Sequence, residues 1–325
     1  MLSALDEKGC LVNLAVTIPE RQHFTCPACG AEVRLKNGSV MRPHFAHINL
    51  KDCQSFSENE GPEHLGLKTE LYRSLSRNCK VRVEQSLPEI QQIADLLVED
   101  KLALEVQCSR LSNQRLRERT RDYHKQGYQV RWLLGRKLWL DKSLSDLQRD
   151  FLYFSDNMGF HLWELDLDRQ CLRLKYLIYE DWHGRVHYLA KECHFTGDLL
   201  AFLRQPFVKQ TMVSYRVAMD QQLLRYIQCQ LYFQNPKWLK QQEAAYQRGD
   251  NLLTKSVEDF YPQLRPPQGP FCQIQQNLSS FYQRFEQFYN KVKDKKEQIL
   301  YPPAFYGKIK TLKYKERKTP TSFKS

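Results

Sequence analysis

The sequence predicts an α/β protein of more than one domain, and three observations carry that expectation. Two short aliphatic runs, Ile93 to Val98 and Leu102 to Val106, are split by the turn-like Glu99-Asp100-Lys101 and read as a β-hairpin. Before them, Pro62 stands at a helix-start position, with Leu67, Leu71 and Leu75 following at helical spacing. After them, the Arg-rich stretch Leu111 to Gln126 reads as a helix that Gly127 ends, and Tyr128 to Leu134 as a further strand. With a strand at Val81 to Val83, the expected order is helix, three strands, helix, strand.

In chain order, the first element is Cys26-Pro-Ala-Cys29-Gly30, which has the spacing of a zinc knuckle, because two thiolates separated by two residues can point at one tetrahedral ion. His44-Phe-Ala-His47 and Cys53 follow. In an extended strand His44 and His47 face opposite sides, so either that segment turns or Cys53 replaces one histidine as a ligand. Within the central segment, strand alternation sends Leu102, Leu104 and Val106 to one face and Ala103, Glu105 and Gln107 to the other, a core face and a polar cleft. Glu63 and His64 fall in the first turn of the Pro62 helix, with Lys68 one turn on from His64. Beyond residue 150, His161 to Asp168, Cys171 to Tyr179 and Trp182 to Leu189 alternate as a meander, and helices are expected from Asp198 onward. Phe281, Phe285, Phe288 and Tyr289 form an aromatic core stripe on one of them, and the prolines at 262, 266, 267 and 270 mark a linker. The expected domains are 1–57, 58–150 and 151–325.

At 325 residues, with 42% hydrophobic and 26% charged, the composition is that of a globular chain rather than a disordered one. No stretch approaches the ~20 apolar residues that span a bilayer, and the start lacks the pattern of a signal peptide, so a cytoplasmic protein with no membrane span is expected. Ten scattered cysteines in a chain of this size read as reduced thiols. The net charge of +12 is uneven: residues 291–325 hold eleven Lys or Arg against three Asp or Glu. Such a tail is attracted to phosphate backbones without reading sequence.

Glu on the first helix, Asp95 on a central strand and Glu105-x-Gln107 on the next resemble the PD-(D/E)XK, restriction-endonuclease-like nuclease core. The resemblance narrows to the competence protein CoiA family on Pro62-Glu-His-Leu-Gly-Leu-Lys68, Ile93-Ala-Asp-Leu-Leu-Val98, Ala103-Leu-Glu-Val-Gln-Cys-Ser109, Arg119-Thr-Arg-Asp-Tyr123 and Gly127-Tyr-Gln-Val-Arg-Trp-Leu133. It takes in the Cys-Pro-x-Cys and His-Phe-Ala-His motifs and covers roughly the first 140 residues. It implies a restriction-endonuclease-like central domain, which the residue patterns flank with an N-terminal zinc-knuckle domain and a mixed β-then-α C-terminal domain. It also implies a metal-dependent DNA nuclease of natural transformation, with single-stranded DNA, the recombinase and other competence proteins as partners. The alternative is a catalytically weak or inactive nuclease-fold mediator that binds DNA.

The chemistry follows from residue type. Phosphodiester hydrolysis needs an activated water and charge neutralisation, and magnesium or manganese held by Asp95 and Glu105 would supply both. Glu63 is placed as a further ligand, direct or through water. Gln107 stands where many such nucleases carry Lys; it can orient a water but has no positive charge. Lys68 and His64 are the candidates for that charge and for proton acceptance, histidine being the side chain that titrates near neutral pH. Arg115, Arg119 and Tyr123 are the candidate DNA contacts, Arg119 and Tyr123 lying four apart on one helix face. Cys26, Cys29, His44 and His47 are the candidate zinc ligands, with Cys53 as substitute.

Overall fold

A computed structural model describes residues 1–39, 41–49 and 60–308. Cys53 and residues 309–325 of the basic tail lie outside the described residues. The N-terminal part is a five-stranded antiparallel sheet of β1 (Ser3–Leu5), β2 (Leu11–Asn13), β3 (Phe24–Thr25), β4 (Glu32–Lys36) and β5 (His44–His47), in the order β2-β1-β3-β4-β5. Phe24 and Phe45 face each other across it, ring centroids 4.8 Å apart. Their cluster also includes Leu65 and Val83 from the next part of the chain, so the small sheet is packed onto the central one.

The central part is built on one mixed sheet. Helix α1 (Pro62–Leu75) leads into β6 (Val81–Leu87), β7 (Gln92–Val98) and β8 (Leu102–Gln107), then α2 (Asn113–Lys125) and β9 (Gln129–Leu134). Strands β6, β7 and β8 are antiparallel neighbours, while β9 joins β8 in parallel, as a crossover through α2 demands. The β7–β8 hairpin turns on Glu99 and Asp100, both at positive φ (50° and 54°), which matches the twist of the strands it joins. Helix α2 stops at Gly127, φ 77°, in the left-handed region where glycine carries no Cβ penalty. Leu67, Leu71 and Leu75 are buried on α1, each contributing about 1.5–3 kcal/mol of transfer free energy. On α2 the buried residues are Leu116, Thr120 and Tyr123, spaced four and three apart.

The sheet continues across residue 150. After α3 (Asp146–Asp150) come β10 (Tyr153–Ser155), β11 (Gly159–Asp166), β12 (Cys171–Glu180) and β13 (Val186–His194). Strand β11 pairs in parallel with β9 through Trp163–Leu133 and Glu164–Leu134, and the expected meander β11-β12-β13 extends the same eight-stranded sheet. The central and C-terminal parts therefore share one sheet and one hydrophobic core. Helix α4 (Leu199–Arg204) touches α1 and β13. Strand β14 (Tyr215–Ala218) is followed by α5 (Leu223–Tyr232) and α6 (Pro236–Tyr246), which close around Trp238. Helix α7 (Ser279–Tyr289) buries Phe281, Phe285 and Tyr289 as the expected core stripe. Strand β15 (Glu297–Leu300), antiparallel to β14, and α8 (Pro303–Lys308) complete the described chain. The proline-rich segment is not a free linker: Leu264 is buried and exchanges hydrogen bonds of 2.9 and 2.8 Å with Gln298, and Arg265 bridges to Glu180. Prolines punctuate this segment without freeing it, because its polar backbone finds partners in neighbouring strands. Among the described residues no helix is long and apolar enough to cross a membrane.

His161, on β11, is fully buried, with Nδ1 2.9 Å from the Gly159 carbonyl and Nε2 without a hydrogen-bond partner. Burial pushes its pKa down from 6.5 to about 4. The unfolded chain takes up this proton below pH 6.5 and the folded chain only below about 4, so stability is full above 6.5 and falls as pH drops through that window. His161→Phe, which keeps a ring against Tyr153, is expected to remove on the order of 3 kcal/mol of this acid sensitivity, read as the difference in urea midpoints of the two proteins between pH 7 and pH 4.

Candidate functional site

A cleft of about 620 Å³ opens between the start of α1, the ends of β7 and β8, and α2. Glu63, His64, Asp95, Glu105, Gln107, Arg115 and Arg119 all line it. The sheet register explains the grouping: Leu96 pairs with Leu104, so Asp95 and Glu105 fall side by side on the same face of adjacent strands.

Asp95 is held from three sides. His64 Nε2 lies 3.2 Å from its Oδ2, the Val106 backbone N–H donates to that oxygen at 2.8 Å, and Lys68 Nζ is 3.6 Å from Oδ1. Burial opposes its charge, but His64 and Lys68 more than offset this and hold Asp95 well below the usual carboxylate range. Glu105, 2% exposed, accepts from Arg119 Nη2 at 2.8 Å and from the Tyr123 hydroxyl. Here burial wins over Arg119, and the carboxyl is pushed up to about 7. Arg119 is further fixed over the Trp132 ring, 5.0 Å from its centroid. Two residues expected to hold DNA, Arg119 and Tyr123, are thus both engaged with Glu105, while the Arg115 guanidinium has no ion-pair partner among the described residues. Gln107 donates from Nε2 to the Ser109 carbonyl at 2.9 Å.

Lys68 does not line the cleft. It is fully buried behind Asp95, with Glu84 Oε1 at 2.6 Å and Glu60 in direct contact. Burial disfavours the ammonium, but Glu60, Glu84 and Asp95 reverse that and raise its pKa well above the ordinary value. The same ion pair holds Glu60 down to about 2 against the effect of its own burial. Glu84 in turn accepts from the backbone N–H of Leu2 (2.7 Å) and Ser3 (2.9 Å) and from the Ser3 hydroxyl (2.8 Å), tying β1 to the site. Glu63 turns to the far wall, where its Oε1 accepts from the Arg136 N–H at 2.8 Å. That turn is tight: a Cβ on Gly135 would stand 2.6 Å from Cys108 Sγ and 3.1 Å from Glu63 Oε1.

Glu60, Glu84 and the Gly135–Lys137 turn were not legible as site residues. Glu60 had a visible signal, since Glu60, His64 and Lys68 recur at intervals of four. Glu84 had none: it sits on the polar phase of β6, at φ 51°, and its partners come from β1 and α1, distant in sequence.

Among the described residues, two groups of side chains have the donor set of a metal site. Oxygen and nitrogen atoms of Glu60, His64 and Asp95 lie within 4.8 Å of one another. In the N-terminal sheet, Cys26, Cys29 and His47 do the same, with Cys29 Sγ 3.4 Å from His47 Nε2. Two thiols and an imidazole fit zinc, and burial that pushes Cys26 up to about 11 is what a bound dication would counter. His44 does not join them: on strand β5 it points away from His47, and its Nδ1 lies 2.9 Å from the Arg42 carbonyl.

Two outcomes are expected. Elemental analysis of purified protein should find about one zinc per chain, lowered by Cys29→Ser or His47→Ala and unchanged by His44→Ala. Lys68→Met should lower stability by about 3–5 kcal/mol in urea unfolding, because it removes the cation shared by Glu60, Glu84 and Asp95.

The sequence comparisons bear on the same segments. The family model for the nuclease-like domain of competence protein CoiA matches residues 60–189, and that for the CoiA N-terminal domain matches residues 13–56. Competence protein CoiA of Bacillus subtilis (strain 168) is 32% identical over 120 residues, 36% of this chain and 32% of that protein, so the match spans about a third of the relative's length. No solved structure matches. The nuclease-like match begins at Glu60 and takes in every carboxylate of the cleft, while the N-terminal match holds the Cys26, Cys29 and His47 group. With these two matches covering more than half of its residues, the chain belongs to the CoiA family of competence proteins.

Proposed function

We propose that this protein is a divalent-metal-dependent DNA nuclease of natural competence, acting on incoming single-stranded DNA or on recombination intermediates. The observation that carries the reading is the pair Asp95 and Glu105, side by side on adjacent strands in a cleft walled by the basic helix α2. The donor chemistry fits magnesium or manganese, since both residues offer carboxylate oxygens and the buried Glu105 gains from added positive charge. When bound, such an ion supplies an activated water and neutralises charge developing at phosphorus. The chain's own groups do the rest. Asp95 is fixed by the Val106 N–H and by Lys68, His64 stands 3.2 Å from Asp95 at the cleft wall as a proton acceptor, and Gln107 offers an amide to orient a water. Arg115 offers a guanidinium to the DNA backbone.

A second reading, a DNA-binding mediator that does not cleave, is favoured by the Arg119 and Tyr123 contacts that occupy Glu105 and by Gln in place of Lys at 107. One assay separates them: full-length protein on labelled single- and double-stranded DNA with magnesium, manganese or chelator. Cleavage is expected with either ion and none with chelator. Asp95→Ala and Glu105→Ala should abolish it while leaving DNA affinity within about twofold, because the basic residues that hold phosphates are untouched. Variants that cleave like wild type would remove Asp95 and Glu105 from the chemistry; a wild type that binds and never cleaves would establish the mediator.

A further inference from the structure

We propose that Lys137 supplies the positive charge at the scissile phosphate that position 107, as glutamine, cannot. The inference rests on the nuclease reading and deepens it. It begins with elimination. The cationic or titratable basic side chains that line the cleft are His64, Arg115, Arg119 and Lys137. Arg119 is consumed by Glu105 at 2.8 Å and by the Trp132 ring. His64 is directed at Asp95, and Lys68 is sealed away from the cleft by Glu60 and Glu84. Arg115 and Lys137 remain, each without an ion-pair partner among the described residues.

Of these two, Lys137 is joined to the reacting end of the sheet. Strands β8 and β9 run in parallel with Gln107 opposite Leu134, and the Gly135 N–H then donates to the Gln107 carbonyl at 2.8 Å. Lys137 lies two residues past that bond, and its charge is felt at Cys108, the neighbour of Gln107. The turn is anchored from both sides. Glu63 Oε1 accepts from Arg136 N–H, and the absence of a Cβ at Gly135 lets the chain close against Cys108 and Glu63. Glu63 is therefore a positioning residue for the Lys137 turn. An exposed ammonium from the turn after β9 and an amide from the end of β8 thus line the same cleft, dividing between two residues what a single lysine would do at position 107. A lysine suits the role because its ammonium is a compact point charge that pairs with a phosphate oxygen without a demanding geometry.

The test compares wild type, Lys137→Ala and the double variant Lys137→Ala/Gln107→Lys in the same cleavage assay, together with the salt dependence of single-stranded DNA binding without divalent ion. Lys137 is exposed, so its replacement should leave the far-UV circular dichroism unchanged. Lys137→Ala is expected to lower kcat on the order of a hundredfold, the usual effect of losing one charge-stabilising donor, and Gln107→Lys should recover most of that loss by restoring the charge from the neighbouring strand. Cleavage by Lys137→Ala at wild-type speed, or a slow Lys137→Ala that Gln107→Lys does not restore, overturns the assignment. If wild type itself does not cleave, the nuclease reading fails and the binding arm decides: loss of one phosphate contact shrinks the log–log salt slope by about 0.7, whereas an unchanged slope shows that Lys137 touches no phosphate.

Discussion

The site depends on a buried ammonium. Lys68 is fully enclosed, and carrying a charge out of water costs several kcal/mol unless close partners compensate. Glu60, Glu84 and Asp95 provide that compensation from three separate segments: the approach to α1, the middle of β6 and the middle of β7. Each segment is therefore held relative to the others by a charge that none can abandon singly. Asp95 gains its fixed orientation from this arrangement, and the cleft gains a carboxylate that stays ionised.

The backbone pays locally for it. Glu84 lies across from Asp95, between the pairs Val83–Leu96 and Gln85–Ala94, at φ 51°. A non-glycine residue in that region costs on the order of 1 kcal/mol or more, and it persists only where the surroundings over-determine it. Here they do: Lys68 on one side and the N–H groups of Leu2 and Ser3 on the other saturate the Glu84 carboxylate. The consequence is mechanical union of the two family segments. The sheet that carries Cys26, Cys29 and His47 is fixed by its first strand to the charge network beneath Asp95, and by the Leu65 and Val83 contacts to the central core.

Beside Asp95, Glu105 is held by a different balance. Its burial outweighs the Arg119 ion pair, so this carboxyl sits near 7 while Asp95 is driven low. Two adjacent carboxyl groups with opposed shifts are a common feature of functional sites, although structural ion-pair networks also produce them. In this protein the difference has an identifiable origin: Asp95 faces Lys68 and His64, whereas Glu105 is enclosed by Tyr123 and by an arginine already committed to an indole ring.

The sequence alone determined what local periodicity and residue chemistry can determine. The α1 start at Pro62, the β7–β8 hairpin, the stop at Gly127 and the aromatic stripe of α7 follow from spacing, turn residues and alternation, while the grouping of Glu63, His64, Asp95, Glu105 and Gln107 in one cleft is what the family resemblance of their motifs implies. Tertiary structure decided the rest, since it depends on contacts between distant segments. Only the parallel pairing of β11 with β9 carries the sheet across residue 150, and only the approach of β1 and α1 supplies the partners that enclose Glu84. Only the strand geometry of β5 separates His44 from His47. Lys68 reads in sequence as a helix residue able to reach the cleft. Its enclosure was fixed by two carboxylates, one eight residues before it and one sixteen after, whose own burial no local pattern records.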